Sequence, residues 1–158
     1  MKMPARSPPL TALAAAIALF ATSLTAVAQP QRDAATAVTG AWRFETAPYD
    51  IGAGGKTCQM TGSMTIVRGT RANAFACTFI ATESCNWGQW SAEQRCTATR
   101  TGDKLEIESQ IVRLTPPNTS YAPDNWSLTI RSSDLMVGQL RSADIANVQF
   151  RRGPAFTS

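Results

Sequence analysis

The chain has 158 residues, with 15 basic and 11 acidic side chains and no histidine. Without histidine, Ser-His-Asp and Cys-His catalytic arrangements and HExxH zinc sites are excluded, and the usual acid–base group at neutral pH is missing. The basic side chains are scattered, and Arg151-Arg152 is the only basic pair. A nucleic-acid surface normally shows clustered basic residues. We therefore expect neither an enzyme nor a nucleic-acid-binding protein.

Residues 1–28 have the pattern of a cleavable secretory signal. Two basic side chains precede an apolar stretch over 10–21, and Ala26 and Ala28 form a small-x-small cleavage motif. The apolar stretch is shorter than the roughly 20 residues of a spanning helix, and no cysteine follows the motif, so no membrane anchor is expected after cleavage. The predicted mature protein is periplasmic or secreted, has a net charge of +2 and begins with a flexible segment over 29–37.

The remaining residues, 38–158, are predicted to form one all-β domain. Apolar and polar side chains alternate in short segments separated by turn residues, which is the period of a strand. Eight segments follow this pattern: 39–45, 57–68, 74–82, 89–100, 104–114, 125–131, 135–140 and 145–152. Eight sequential antiparallel strands most simply close into an up-and-down barrel, which leaves no exposed edge, and a β-sandwich is the alternative.

The interior of an eight-stranded barrel is either filled by side chains or holds one small ligand. The predicted inward positions combine small residues, such as Gly62 and Ala81, with large ones, such as Phe79 and Trp126. Because protein interiors are normally packed without voids, we expect a filled interior. A small cavity is the alternative.

Four cysteines lie in the predicted mature part: Cys58, Cys77, Cys85 and Cys96. An even number in a small exported domain predicts two disulfides. Because short loops close readily, we favour Cys58–Cys77 with Cys85–Cys96 among the three possible pairings. The spacing lacks the tight pairs of a zinc site, so we expect no metal and no cofactor.

Trp87 is the candidate partner-binding residue. It lies on a predicted loop between two cysteines, and tryptophan is enriched at the energetic hot spots of interfaces. Packing of this loop against the end of the barrel is the alternative. The alternation places the neighbouring Trp90 with the core instead.

The first strand begins with Gly40-Ala41-Trp42, a G-x-W element, and the last strand ends with Arg151-Arg152. Together with the eight strands, this resembles the calycin group, which contains lipocalins, avidins and related bacterial barrels. In that group the tryptophan closes one end of the barrel and an arginine of the last strand lies across it. The resemblance gives these roles to Gly40, Trp42 and Arg151, or to Arg152 in place of Arg151. Such a stack contributes about 0.5–2 kcal/mol.

Within that group the chain is most similar to the periplasmic metalloprotease inhibitors. They share a signal peptide, an N-terminal segment before G-x-W and a cysteine pair in the next strands. The second cysteine pair here departs from that pattern, and periplasmic lysozyme inhibitors share the same plan. We therefore expect an exported, non-catalytic binding protein of the cell envelope whose protein partner is an exogenous hydrolase. The alternative is a carrier of a small apolar ligand inside the barrel.

Overall fold

The computed structural model describes residues 38–52, 55–117 and 120–153. The predicted signal peptide and the predicted flexible segment over 29–37 lie outside these ranges. Every regular element within them is a strand, so they contain no helix that could cross a membrane.

The chain forms one antiparallel sheet that closes on itself. Sequential strands pair with each other, and β1 pairs with both β3 and β9. The two-residue β2 lies beside β3 just beyond the end of β1, so the wall has eight full strands. The predicted barrel is confirmed. The strands are β1 (Gly40–Thr46), β2 (Tyr49–Asp50), β3 (Thr57–Arg68), β4 (Ala74–Cys85), β5 (Gly88–Thr101), β6 (Lys104–Thr115), β7 (Asn125–Ile130), β8 (Leu135–Arg141) and β9 (Ile145–Arg152).

The eight predicted segments coincide with the eight full strands, and the main difference lies between β4 and β5. The sequence predicts a turn or loop over 84–88, but the ladder continues until Cys85 pairs with Gly88. Only Asn86 and Trp87 remain to turn the chain. The turn is therefore a tight hairpin.

The middle of the barrel is filled by four aromatic rings. Phe44, Phe79, Trp126 and Phe150 are buried, and their ring centroids lie 5.0–6.2 Å apart in the contacting pairs. Gly62 makes room for this cluster, since a Cβ there would overlap the ring of Phe44. Large side chains thus occupy the space that a small one leaves, as close packing requires.

Both disulfides join residues that lie opposite each other in neighbouring strands. Cys58 faces Cys85 in the β3–β4 ladder, and Cys77 faces Cys96 in the β4–β5 ladder. The prediction of Cys58–Cys77 with Cys85–Cys96 was wrong. Cys77 lies opposite Ile66, eight residues along β3 from Cys58. That distance is roughly 26 Å of strand, whereas the Cα atoms of a disulfide lie within about 7 Å.

Candidate functional site

One end of the barrel is closed by Trp42 and Arg152. The Trp42 ring is fully buried, its Nε1 donates to the Val38 carbonyl at 2.9 Å, and the Arg152 guanidinium lies 4.4 Å from the ring centroid. Arg152 also donates to the carbonyls of Thr39 and Ser133, each at 2.7 Å. This end is therefore sealed by a stacked and hydrogen-bonded cation.

The structure assigns the stacking role to Arg152 and not to Arg151. Phe150 faces the interior, so the residue two positions later faces the same way, whereas Arg151 points outward and donates to Gln149 at 3.1 Å. Gly40 supports the arrangement: its φ is +124°, and a Cβ there would collide with the Arg152 guanidinium. The glycine of the G-x-W element thus leaves room for the arginine.

The opposite end, which we call the mouth, contains a cavity of about 180 Å³. Its described walls combine apolar side chains with three carboxyl groups, and they include no lysine or arginine. The lining residues are Tyr49, Ile51, Met60, Glu83, Ser120, Tyr121, Ala122, Asp124, Leu140, Ser142, Ala143 and Asp144.

Asp124 is the most deeply buried carboxyl group of the mouth, with no exposed surface. Gln94 and the Tyr121 hydroxyl both donate to its Oδ2, the latter at 3.1 Å. The Asp124 backbone N–H donates to Gln94 Oε1 at 3.0 Å, and the Ser109 hydroxyl donates to the Asp124 carbonyl at 2.8 Å. Asp124 Oδ1 has no hydrogen-bond partner among the described residues; the other such buried atom, Trp126 Nε1, belongs to the aromatic cluster.

The surroundings of Asp124 raise the pKa of its carboxyl group to near neutral pH. Burial raises its pKa to about 7, and the charge of Glu83 acts in the same direction. The hydrogen bonds from Gln94 and Tyr121 favour the ionised form and offset part of this effect, and the nearby Ser142 hydroxyl acts in the same direction. Asp124 therefore exchanges a proton within the physiological pH range.

The two tyrosines of the mouth stay protonated and hold its carboxyl groups in place by hydrogen bonds. Burial and the nearby carboxyl groups raise the pKa of Tyr49 and of Tyr121 above the ordinary range of a phenol. The Tyr49 hydroxyl donates to Glu83 Oε1, as Tyr121 does to Asp124. Both phenols are thus hydrogen-bond donors to carboxyl oxygens.

A β-bulge in β6 shapes this end of the barrel. Glu93 pairs with Arg113 and Gln94 with Ile111, so Val112 has no opposite residue and is 62% exposed. The buried Gln94 lies at this irregularity and reaches across to Asp124. Bulges often occur next to binding sites because they redirect side chains.

Trp87 lies at the rim of the mouth end, on the turn between β4 and β5. It is 44% exposed, its ring lies 6.1 Å from that of Trp90, and Lys56 Nζ lies 5.3 Å from its centroid. Trp90 was predicted in the core but is only partly buried, packed over Gly88. It has the inward parity, yet it lies so near the strand end that little structure covers it.

The cysteines offer no thiolates for a metal. Cys58, Cys85 and Glu83 bring their sulfur and oxygen atoms within 4.8 Å of one another, but the two sulfurs form a disulfide. This bond lies beside the mouth and ties β3 to β4 there. Its role is structural.

A wider depression of about 1040 Å³ lies along the outer wall of β1, β8 and β9. Its described lining consists mainly of outward-facing residues such as Arg43, Gln139 and Gln149. It contains no buried polar atom without a partner. The mouth is therefore the stronger candidate site.

Sequence reasoning brought none of the mouth's central residues together as a site. Two of them carried a signal: Glu83 and Gln94 have the inward parity of their strands, although polar residues are unusual there. The other three carried no signal: Tyr49 lies on a two-residue strand, Tyr121 lies in a loop, and Asp124 lies just before a strand.

The sequence matches no protein-family model. No curated protein matches it either. A de novo designed fluorescence-activating β-barrel is a similar solved structure, with a TM-score of 0.52 and 20% identity over 77% of this chain and 98% of the other. A redesigned barrel, mFAP1, bound to DFHBI, gives 0.51 and 17% over 77% and 99%. These likenesses show the fold alone: the protein is a closed eight-stranded antiparallel β-barrel.

Proposed function

We propose that the protein is an exported, non-catalytic binding protein that holds a small ligand at the mouth of its barrel. The observation that carries this proposal is Asp124 Oδ1, a fully buried acceptor without a partner beside a cavity of about 180 Å³. Buried polar atoms are nearly always hydrogen-bonded, and a missing partner is often a water or a ligand. The carrier hypothesis placed the ligand inside the barrel. Because aromatic rings fill the middle, we place the ligand at the mouth instead.

The chemistry of the chain supports binding over catalysis. It has no histidine, and all four cysteines are in disulfides. The similar barrel mFAP1 is bound to DFHBI, so this architecture is compatible with holding a small molecule. The disulfides and the predicted signal over 1–28 support a periplasmic or secreted location.

A blocking variant tests the proposal. Polar small molecules and an extract of the host's envelope fraction are screened for a rise in the Tm of the full mature protein. Ala143→Trp places a large ring at the rim of the cavity, where the native residue is exposed. We expect the rise to disappear in this variant but to persist in Ser133→Trp, at the sealed end. A library and extract without any stabilising molecule, or binding that survives the block, would overturn the proposal.

Inhibition of an exogenous hydrolase is the second candidate function, and the exposed Trp87 ring favours it. Tryptophan at a rim can insert into a partner's cleft. Titration of a secreted metalloprotease and of lysozyme with the full mature protein tests this directly. If either enzyme is inhibited, Trp87→Ala should weaken inhibition, while Val67→Ala, at another exposed apolar residue, should not. Lack of inhibition of both enzymes would leave the small-ligand function standing alone.

A further inference from the structure

We propose that the mouth cavity takes a small organic cation, an ammonium group on an apolar body about the size of benzene, with Asp124 as its counter-ion. This rests on the proposed small-ligand function and names the ligand's chemical class.

The first argument is hydrogen bonding. Asp124 Oδ2 is already saturated by Gln94 and Tyr121, whereas Oδ1 has no partner. The Ser142 hydroxyl lies close enough to favour the ionised form of Asp124, but it donates to the Ala122 carbonyl at 3.3 Å. Asp124 Oδ1 is therefore open to a donor from a ligand, and an ammonium group supplies three donors and no acceptor.

The second argument is charge. Glu83, Asp124 and Asp144 line the cavity, and its described walls carry no cationic side chain. The adjacent Arg141 is paired on the outer wall with Glu106. A bound anion would face three carboxyl groups at short range, and a neutral donor would leave their repulsion unchanged. A cation reduces it, and each charge-assisted hydrogen bond is about twice as strong as a neutral one.

The third argument is size and lining. Met60, Ile51, Leu140 and Ala143 provide apolar walls around the carboxyl groups. An apolar cavity of roughly 150 Å³ is known to hold benzene, and this one is about 180 Å³. Hydrated inorganic cations gain nothing from apolar walls. The lining thus suits an ammonium group that carries a compact hydrocarbon.

Three probes of one shape test the proposal: benzylammonium, benzyl alcohol and benzoate, titrated calorimetrically into the full mature protein at pH 8. We expect benzylammonium to bind about ten- to a hundredfold more tightly than benzyl alcohol, since a hydrogen bond to a charged group contributes about 1.5–3 kcal/mol. Benzoate should not bind. Cyclohexylammonium, which keeps the charge and the size, should bind like benzylammonium.

Variants locate the effect. Asp124→Asn keeps the shape and should remove the preference for benzylammonium over benzyl alcohol, while Asp103→Asn, exposed at the sealed end, should keep it. Asp144→Asn changes a partly exposed residue and should weaken ammonium binding about two- to fivefold. If the neutral probe binds as tightly as both ammonium probes, or if neither ammonium probe binds, the cation proposal is refuted. A stabilising neutral molecule in the Tm screen would then still support the small-ligand function.

Discussion

Replacing Asp124 by asparagine should change how the protein's stability depends on pH. Asparagine is nearly isosteric, keeps an oxygen for Gln94 and Tyr121, and cannot ionise. In an unfolded chain the Asp124 carboxyl has its ordinary pKa of 3.8, whereas in the folded protein its pKa is about 7 because it is buried and close to Glu83. The substitution removes this difference.

The sign and size follow from proton linkage. Between pH 3.8 and 7 the folded protein keeps a proton that the unfolded chain has lost. The stabilisation that the Asp124 carboxyl group contributes is therefore fully present below pH 3.8 and is lost as pH rises through 7. The difference in pKa corresponds to about 4 kcal/mol. The stability of Asp124→Asn relative to the native protein should therefore rise by about 4 kcal/mol from pH 4 to pH 8.

Urea unfolding of both proteins at pH 4, 5, 6, 7 and 8 measures this difference. Carboxyl groups remote from Asp124 contribute equally to the two proteins and cancel in the comparison. Asp103→Asn, in the exposed turn after β5, is the matched control and should run parallel to the native protein. If Asp124→Asn also runs parallel, within about 1 kcal/mol, the burial argument is refuted.

Three further predictions concern the fold. Arg152→Ala should lower the free energy of unfolding by about 1–3 kcal/mol, since it removes a cation–π contact and carbonyl hydrogen bonds, while Arg151→Ala should change it by less than about 0.5 kcal/mol; urea titration compares them. Removing Cys77 and Cys96 together should cost about 3 kcal/mol, and non-reducing peptide mapping of the native protein should recover these two cysteines in one linked fragment. Gly62→Ala should lower Tm markedly, because its methyl group would overlap a core phenylalanine ring; an unchanged Tm would contradict the packing described here.

The architecture was predictable because alternation is a local property. Each strand has one face in the core and one in solvent. A segment such as 104–114 can therefore be identified as a strand from its own alternation, without knowing which strands lie beside it. The bulge at Val112 was not visible, since it depends on which residue of β5 lies opposite. It shifts the register between β5 and β6 by one residue beyond Ile111.

The disulfides could not be paired from loop length, because hairpin register decides them. Positions equally distant from a tight turn face each other: Cys77 lies eight residues before Cys85, and Cys96 lies eight residues after Gly88. Had the turn been placed at residues 86 and 87 rather than over 84–88, the Cys77–Cys96 bond would have followed. The preference for short loops therefore selected the wrong pairs, because it ignores the register of the hairpin.

The mouth site was less predictable than the sealed end. The resemblance to the calycin group connected the short Gly40-Ala41-Trp42 element with the arginines that end the last strand, and only the choice between Arg151 and Arg152 needed strand parity. Asp124 meets Gln94 across 30 residues of sequence, and its burial depends on the loop that precedes β7. No short-range pattern encodes such a contact.

The pairing of β1 with β9 has a consequence for the order of folding. Every other pair of neighbouring strands is close in sequence, whereas this pair joins the two ends of the domain and places Trp42 beside Arg152. Closing so long a loop is slow, so the β3–β4–β5 meander, clamped by its two disulfides, is free to form well before the cylinder closes. A chain delivered amino end first would wait with unpaired edges on β1 and β8 until its last strand arrived. Truncation at the carboxyl end should thus be far more damaging than its length suggests, because it would leave an open sheet prone to pair with other copies.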